Sequence, residues 1–289
     1  MNISRRTALG GLTLSLATPA FSQEATADDA FPALPLALGG SKEPDFVPSP
    51  TLGSVPPPPL MRQVADALMT RAPYNCAPVD VAMYFRDIGQ GSFPDLGSDR
   101  LNKELGRHYV RGWNRYANPV VTGFFTATSM GRPDSDGTYW CAAFVNWCIA
   151  RGRATTAAVP LPDPIRRSGS YSASSGSFRC WPYDDKKPDA ALGRTETPQR
   201  GDIVVWATDR TVAGCALGPG HVAFFLGHEP GDRLLVVGGN QRDPETLEGA
   251  SQSAVCRKSM PQAYAVAQRA GPKLYKRFHS FRTAPFLHG

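Results

Sequence analysis

No internal repeat, no run of five or six basic residues and no apolar stretch of the roughly 20 residues needed to cross a bilayer occurs in this 289-residue chain. The missing repeat argues against a repeat array, and the scattered positive charge against a nucleic-acid-binding patch. The missing apolar stretch argues against stable membrane insertion. What charge there is sums to +6, a bias towards polyanions such as an acidic cell wall. A hydrophobic share of 42% is enough for a packed core and excludes global disorder. With 28 glycines and 27 prolines the chain is loop-rich rather than a helical bundle, and its length suits one large domain or two small ones.

Residues 1–22 read as an export signal. Ser4-Arg5-Arg6-Thr7-Ala8-Leu9 resembles a twin-arginine motif, with Ala8 in place of the usual bulky residue, and a mildly apolar stretch follows to Ala20. Ala20-Phe21-Ser22 offers small residues where a signal peptidase reads them; a general secretory signal is the alternative. Either route predicts a periplasmic or secreted protein. Residues 23–59 are rich in Pro, Ala, Gly and Ser and end in a proline run, a composition expected of a linker or of a strap across the folded part.

The stretch from Tyr139 to Arg153 predicts a helix. Cys141, Phe144, Val145, Cys148 and Ile149 recur at helical spacing, with Gly152 as the stop signal. Cys141 falls in the first turn, where the helix dipole and unpaired N–H groups favour a thiolate. A small core cysteine is the plain alternative.

Around this helix, residues 60–130 predict a helical lobe. One helix follows the proline run on Met61, Val64 and Leu68. A second opens at Pro78, and a third carries Leu101, Leu105, Tyr109 and Trp113 before Pro119 ends it. His108 in that third helix reads as structural. Residues 160–200 form a long irregular stretch with a serine-rich segment at 168–178, either lining a groove or disordered. Strand signals dominate afterwards, at 202–206, 221–226, 234–237 and 273–282. Helices first and strands after predict an α+β fold with an antiparallel sheet, and a catalytic domain over 131–289.

If Pro230-Gly231 closes a hairpin, Leu226 faces Leu235, Phe224 faces Val237 and His221 faces Asn240. Cross-strand neighbours lie about 4.5–5.5 Å apart at Cβ, within reach of a side-chain hydrogen bond. Pro-Gly is not the favoured two-residue hairpin turn, and Gly238-Gly239 invites a bulge, so the register can shift. A thiol, an imidazole and an orienting amide are what acyl transfer through a covalent intermediate needs.

Four blocks carry a resemblance: Trp140-Cys141-Ala142-Ala143-Phe144-Val145-Asn146-Trp147, Pro198-Gln199-Arg200-Gly201-Asp202-Ile203-Val204-Val205, Gly220-His221-Val222-Ala223-Phe224 and Gly238-Gly239-Asn240-Gln241. In this order they resemble the CHAP family, the cysteine, histidine-dependent amidohydrolases/peptidases of the NlpC-like papain-fold clan. The resemblance spans residues 60–282. It implies a papain-like fold, a Cys141–His221–Asn240 site, peptidoglycan as substrate and no cofactor. Many members carry an acidic residue where Gly238 stands. The expected function is an exported amidase or endopeptidase of the cell wall. An inactive papain-fold module that binds wall or a protein partner is one alternative, and a lysin or toxin aimed at competitor walls is another.

Cys148 follows Cys141 by seven residues, about 10.5 Å along a helix, too far for a disulfide between them. Among Cys76, Cys148, Cys180, Cys215 and Cys256, two bridges and one buried thiol are expected in an oxidising compartment, with Cys180 paired to Cys215 or Cys256. A zinc site from Cys215, His221 and His228 is the rival and matches no standard ligand spacing.

Overall fold

Prolines set the helix starts. Pro59 opens α1 (Pro59–Arg71), Pro78 opens α2 (Pro78–Gly89) and Pro119 opens α3 (Pro119–Phe124). At a helix N-terminus the lost N–H has no intrahelical acceptor in any case. The computed structural model describes residues 53–91, 106–113, 116–163, 165–182, 193–208, 220–242, 253–266 and 274–289. The export signal and most of the linker lie outside them. The end of the linker acts as a strap: Gly53 donates to Trp113 O, Val55 bridges Tyr116, and Ala117 donates to Val55 O.

The third predicted helix is corrected at its C-terminal end; its start lies outside the described residues. A helical turn covers 106–109, and then Arg111 bridges to Ala254. Pro119 starts a helix rather than ending one, because Asn118 caps it. The Asn118 side-chain oxygen accepts from Val120 and Val121 N–H, and its amide donates to Tyr109 O and Arg111 O.

α4 (Cys141–Arg153) is buried from Cys141 to Gly152 and packs between α2, α3 and the sheet. Phe85 of α2 meets Phe124, Phe144 and Trp147 edge-on, with centroids 5.1, 6.2 and 5.5 Å away. Gly152 does not stop α4. It lets the helix lie against α2, since a Cβ there would sit 2.7 Å from Cys76 O and 3.1 Å from Pro78 Cα. Beside it, the buried Arg151 guanidinium donates to Thr70 O and Ala72 O at the end of α1.

The sheet is antiparallel. Its strands are β1 (Arg194–Thr195), β2 (Ile203–Thr208), β3 (Gly220–Glu229), β4 (Arg233–Arg242), β5 (Ser253–Pro261), β6 (Ala263–Val266) and β7 (Leu274–Arg282). The order is β1-β7-β2-β3-β4-β5, with β6 pairing the start of β7 and β1 its end. Sequence reading finds β2, β3, β4 and β7 and misses β5, whose Arg257-Lys258-Ser259 interrupts the apolar pattern. One face (Ile203, Val205, Val222, Phe224, Val237, Val255) shares a single core with α1–α4. The opposite face (Val204, Trp206, Ala223, Phe225, Leu234, Val236, Met260, Phe281) holds a second, smaller core.

The expected second bridge is not formed. Cys76, Cys148 and Cys256 carry no disulfide, which leaves too few partners for it. Cys148 is buried on α4, and Cys256 is buried on β5, where its thiol faces Gln241. Cys180 is disulfide-bonded, and Cys215 lies outside the described residues.

Asn118→Ala removes the α3 cap and leaves two carbonyls without their donor. A loss of about 1–3 kcal/mol is expected in equilibrium urea unfolding.

Candidate active site

Nothing caps α4 from a side chain, because Trp140 occupies the N-cap position. The first-turn N–H groups are therefore free of a side-chain cap, and those of Cys141 and Ala142 favour the charged form of the sulphur. Val222 N–H on β3 acts in the same direction. It is available because β4 has left this part of β3. Phe225 exchanges its backbone bonds with Gly201 and Asp202 just before β2. The alternate residues Phe224 and Val222 therefore turn their backbone groups the other way, towards β4. The β3–β4 ladder runs from Glu229↔Arg233 to Phe224↔Val237. Beyond Val237, β4 pairs with β5 alone through a bulge between Gly238 and Gln241, where Asn240 takes a φ of 56°. Sulphur fills the place a strand would have taken.

His221 lies next to Val222 and, by alternation, on the second-core face. It pairs with Trp206 across β2, with ring centroids 5.7 Å apart. The imidazole is only 5% exposed and Cys141 only 4%. Gln241 holds the ring, its Nε2 lying 3.1 Å from His221 Nε2, while the Cys256 thiol donates to Gln241 Oε1 at 3.8 Å. With Nε2 donating, the ring proton rides on Nδ1. A half-turn of the amide presents Oε1 instead and moves that proton to Nε2.

Two glycines make this arrangement possible. A Cβ on Gly238 would collide with the Gln241 amide, and would lie 2.9 Å from Ala223 Cβ. A Cβ on Gly239 would collide with the Trp140 ring and lie 2.8 Å from Phe144 Cβ. Gly239 thus lets β4 lie flush on the start of α4, and Gly238 leaves room for Gln241 to fold back over the strand.

The hairpin register is right at one place and shifted at others. Phe224 faces Val237 as the turn predicts. A bulge between Phe225 and Gly227 puts Gly227 opposite Leu235 in place of Leu226. His221 lies past the end of the ladder, so strand pairing does not bring it to Asn240, which is half-buried on the β4 bulge. Cys215 of the rival zinc set lies outside the described residues.

Lys276 is a residue the sequence reading missed. On β7 it alternates with Phe278, which pairs Trp206, which pairs His221; Lys276, Trp206 and His221 therefore share one face. Its ammonium donates to Gly220 O at 2.6 Å. Burial raises the Cys141 thiol above its usual value, while Lys276 and the three N–H donors pull it back. Burial also holds the His221 imidazole well below its usual value, with Lys276 and then Lys258 acting in the same direction. Thiol and imidazole therefore rest neutral.

The serine-rich segment borders the same end of β3. Buried Asn146 of α4 anchors it, donating to Ser172 O at 2.9 Å and accepting from Tyr171 N–H at 3.0 Å. Ser175 is buried beside Gly220, where a Cβ would lie 3.1 Å from its Oγ.

No curated protein and no solved structure matches this chain. Residues 133–240, about a third of the chain, match the family model described as the CHAP domain, and Gln241 falls one residue beyond that match. This match includes the Cys141 helix, β2, β3 and most of β4, and on it residues 133–240 are identified as a CHAP domain.

Proposed function

We propose that this chain is an exported cysteine hydrolase that cleaves an amide bond in peptidoglycan, on a papain-like arrangement of helix and sheet. One observation carries the reading. The Cys141 sulphur, at a helix N-terminus where three backbone N–H groups favour its charged form, acts beside Val222 of β3, the neighbour of a buried imidazole held by a side-chain amide. Cys141 is the nucleophile and His221 the base. By family position the orienting residue is Asn240, whereas in contact terms Gln241 does that work. Export rests on residues 1–22, and a net charge of +6 favours an anionic wall.

The imidazole takes the thiol proton while the sulphur forms its bond to the carbonyl carbon. The oxyanion is stabilised by backbone N–H groups at the start of α4. The protonated imidazole then gives its proton to the departing amine as the C–N bond breaks, and water hydrolyses the thioester.

Cys141→Ala in the full chain is expected to reduce release of soluble muropeptides, read by mass spectrometry, to background. Undiminished release would sink the enzyme and leave a wall-binding module. Gln241→Ala is expected to lower kcat/KM by about 10- to 100-fold, part of the roughly 10²–10⁴-fold a positioned base supplies. Asn240→Ala serves as its comparison, and the larger loss identifies the residue that orients His221.

The resting pair is neutral, so the active form (thiol with free imidazole) persists between the depressed imidazole and the raised thiol. The rate is expected to stay level from the ordinary imidazole value of 6.5 to the ordinary thiol value of 9.0. Protonation of His221 ends activity only below that range. An acid limb centred at or above pH 6.5 would contradict a desolvated base.

A further inference from the structure

Lys276 belongs to none of the four sequence blocks, and the matched residues 133–240 exclude it. Its side chain nonetheless reaches from β7 past β2 to the start of β3. The ammonium sits on Gly220 O at 2.6 Å, and Val222 N–H favours the charged form of the Cys141 sulphur. Gly220 and Val222 are two residues, or roughly 6–7 Å, apart along the strand. His221 lies between them. Among the described residues no carboxylate pairs with Lys276, and Cys141 is the group that favours its charged form. The other groups facing the imidazole are Trp206 from β2, Gln241 from β4 and, at longer range, Lys258 from β5. Tyr264 of β6 pairs Lys276 and reaches the field of Cys141. A buried ammonium is costly unless a negative charge meets it. The sulphur supplies that charge only once it has lost its proton.

We infer that Lys276 is a positioning residue of the reaction: its ammonium, seated on the Gly220 carbonyl, is the counter-ion of the Cys141 sulphur while the thiol proton is on His221. The inference rests on the hydrolase reading and deepens it. In acylation the S–H bond breaks, its proton goes to the imidazole, and its electron pair forms the bond from sulphur to the acyl carbon. Lys276 stabilises that electron pair and disfavours the imidazolium. The imidazolium is thereby made a stronger acid towards the leaving amine. No proton leaves Lys276.

The test is the pH dependence of iodoacetamide labelling at Cys141 in the full chain, read on the Cys141 peptide by mass spectrometry. Lys276→Gln keeps a donor for Gly220 O without charge, and Lys276→Arg keeps the charge. Lys276→Met replaces Lys276→Gln if that variant fails to fold. Labelling of the uncharged variant is expected to shift up by about one pH unit, while Lys276→Arg stays near the parent. The His221 ring, followed by NMR, is expected to titrate at higher pH in the uncharged variant. Unchanged profiles at both groups in a folded uncharged variant would overturn the inference and reduce Lys276 to a tie between β7 and β3. A parent Cys141 that resists labelling at every pH would instead overturn the hydrolase reading and this inference with it.

Discussion

The site depends on one separation, the departure of β4 from β3 beyond Phe224↔Val237. Had the ladder continued, Val222 N–H would be spent on strand pairing, and the start of α4 would meet a closed sheet. Instead β4 turns to β5 through the bulge at Gly238–Gln241, and the start of α4 brings the thiol to the bared edge, with the Lys276 ammonium on Gly220 O two residues away. A bare edge inside a protein is expensive unless its groups find partners or cover. The start of α4 covers this one, so the packing that completes the sheet also brings the thiol beside Val222, the neighbour of His221.

Desolvation then sets the character of that site. A preformed thiolate–imidazolium pair needs an environment that tolerates both charges. Here burial opposes each, and the ammonium favours the anion while opposing the second cation. The result is a pair whose neutral forms are favoured, so that in the proposed reaction charge would appear only as the proton moves. Gln241 suits this environment. A carboxylate in its place would stabilise the imidazolium and bring a further buried charge, whereas an amide fixes the ring without one. The glycine at position 238, where relatives of this family often carry an acid, is the space into which that amide folds.

How much of this was legible in the sequence follows from which interactions are local. The 3.6-residue period from Cys141, and prolines at helix starts, act within a few residues, and α1, α2 and α4 form where they predict. Turn geometry reaches as far as Phe224↔Val237 and fails beyond it, because the bulges answer to packing against Trp140, Phe144 and Ala223. Pro119 was misread because a proline after an asparagine opens a helix as readily as a proline ends one. Only the backbone partners of Asn118 decide between the two. Gln241 directly follows Asn240, the residue to which the family position points. The empty side chain at Gly238 was the signal that something else fills that space. Lys276 gives a fainter signal: it shares the alternation of Phe278, which places a cation on the face that carries Trp206 and His221.

That misplaced cation bears on the choice between an enzyme and a module that only binds. A binding surface needs polar groups where ligand can touch them, and it gains nothing by enclosing a thiol, an imidazole, an amide and an ammonium around one strand edge. Each of these carries a desolvation cost, and packed apolar residues in the same positions would stabilise the fold more. Polar groups kept at such a cost, with thiol and imidazole shifted away from their solution values, are characteristic of sites that handle protons. Cys148, by contrast, is an equally buried thiol in the same helix, and burial, with Cys76 beside it, opposes its charged form more strongly. Two cysteines seven residues apart on α4 thus differ in what surrounds them, and that difference is the ground for proposing one as the nucleophile and leaving the other to the core.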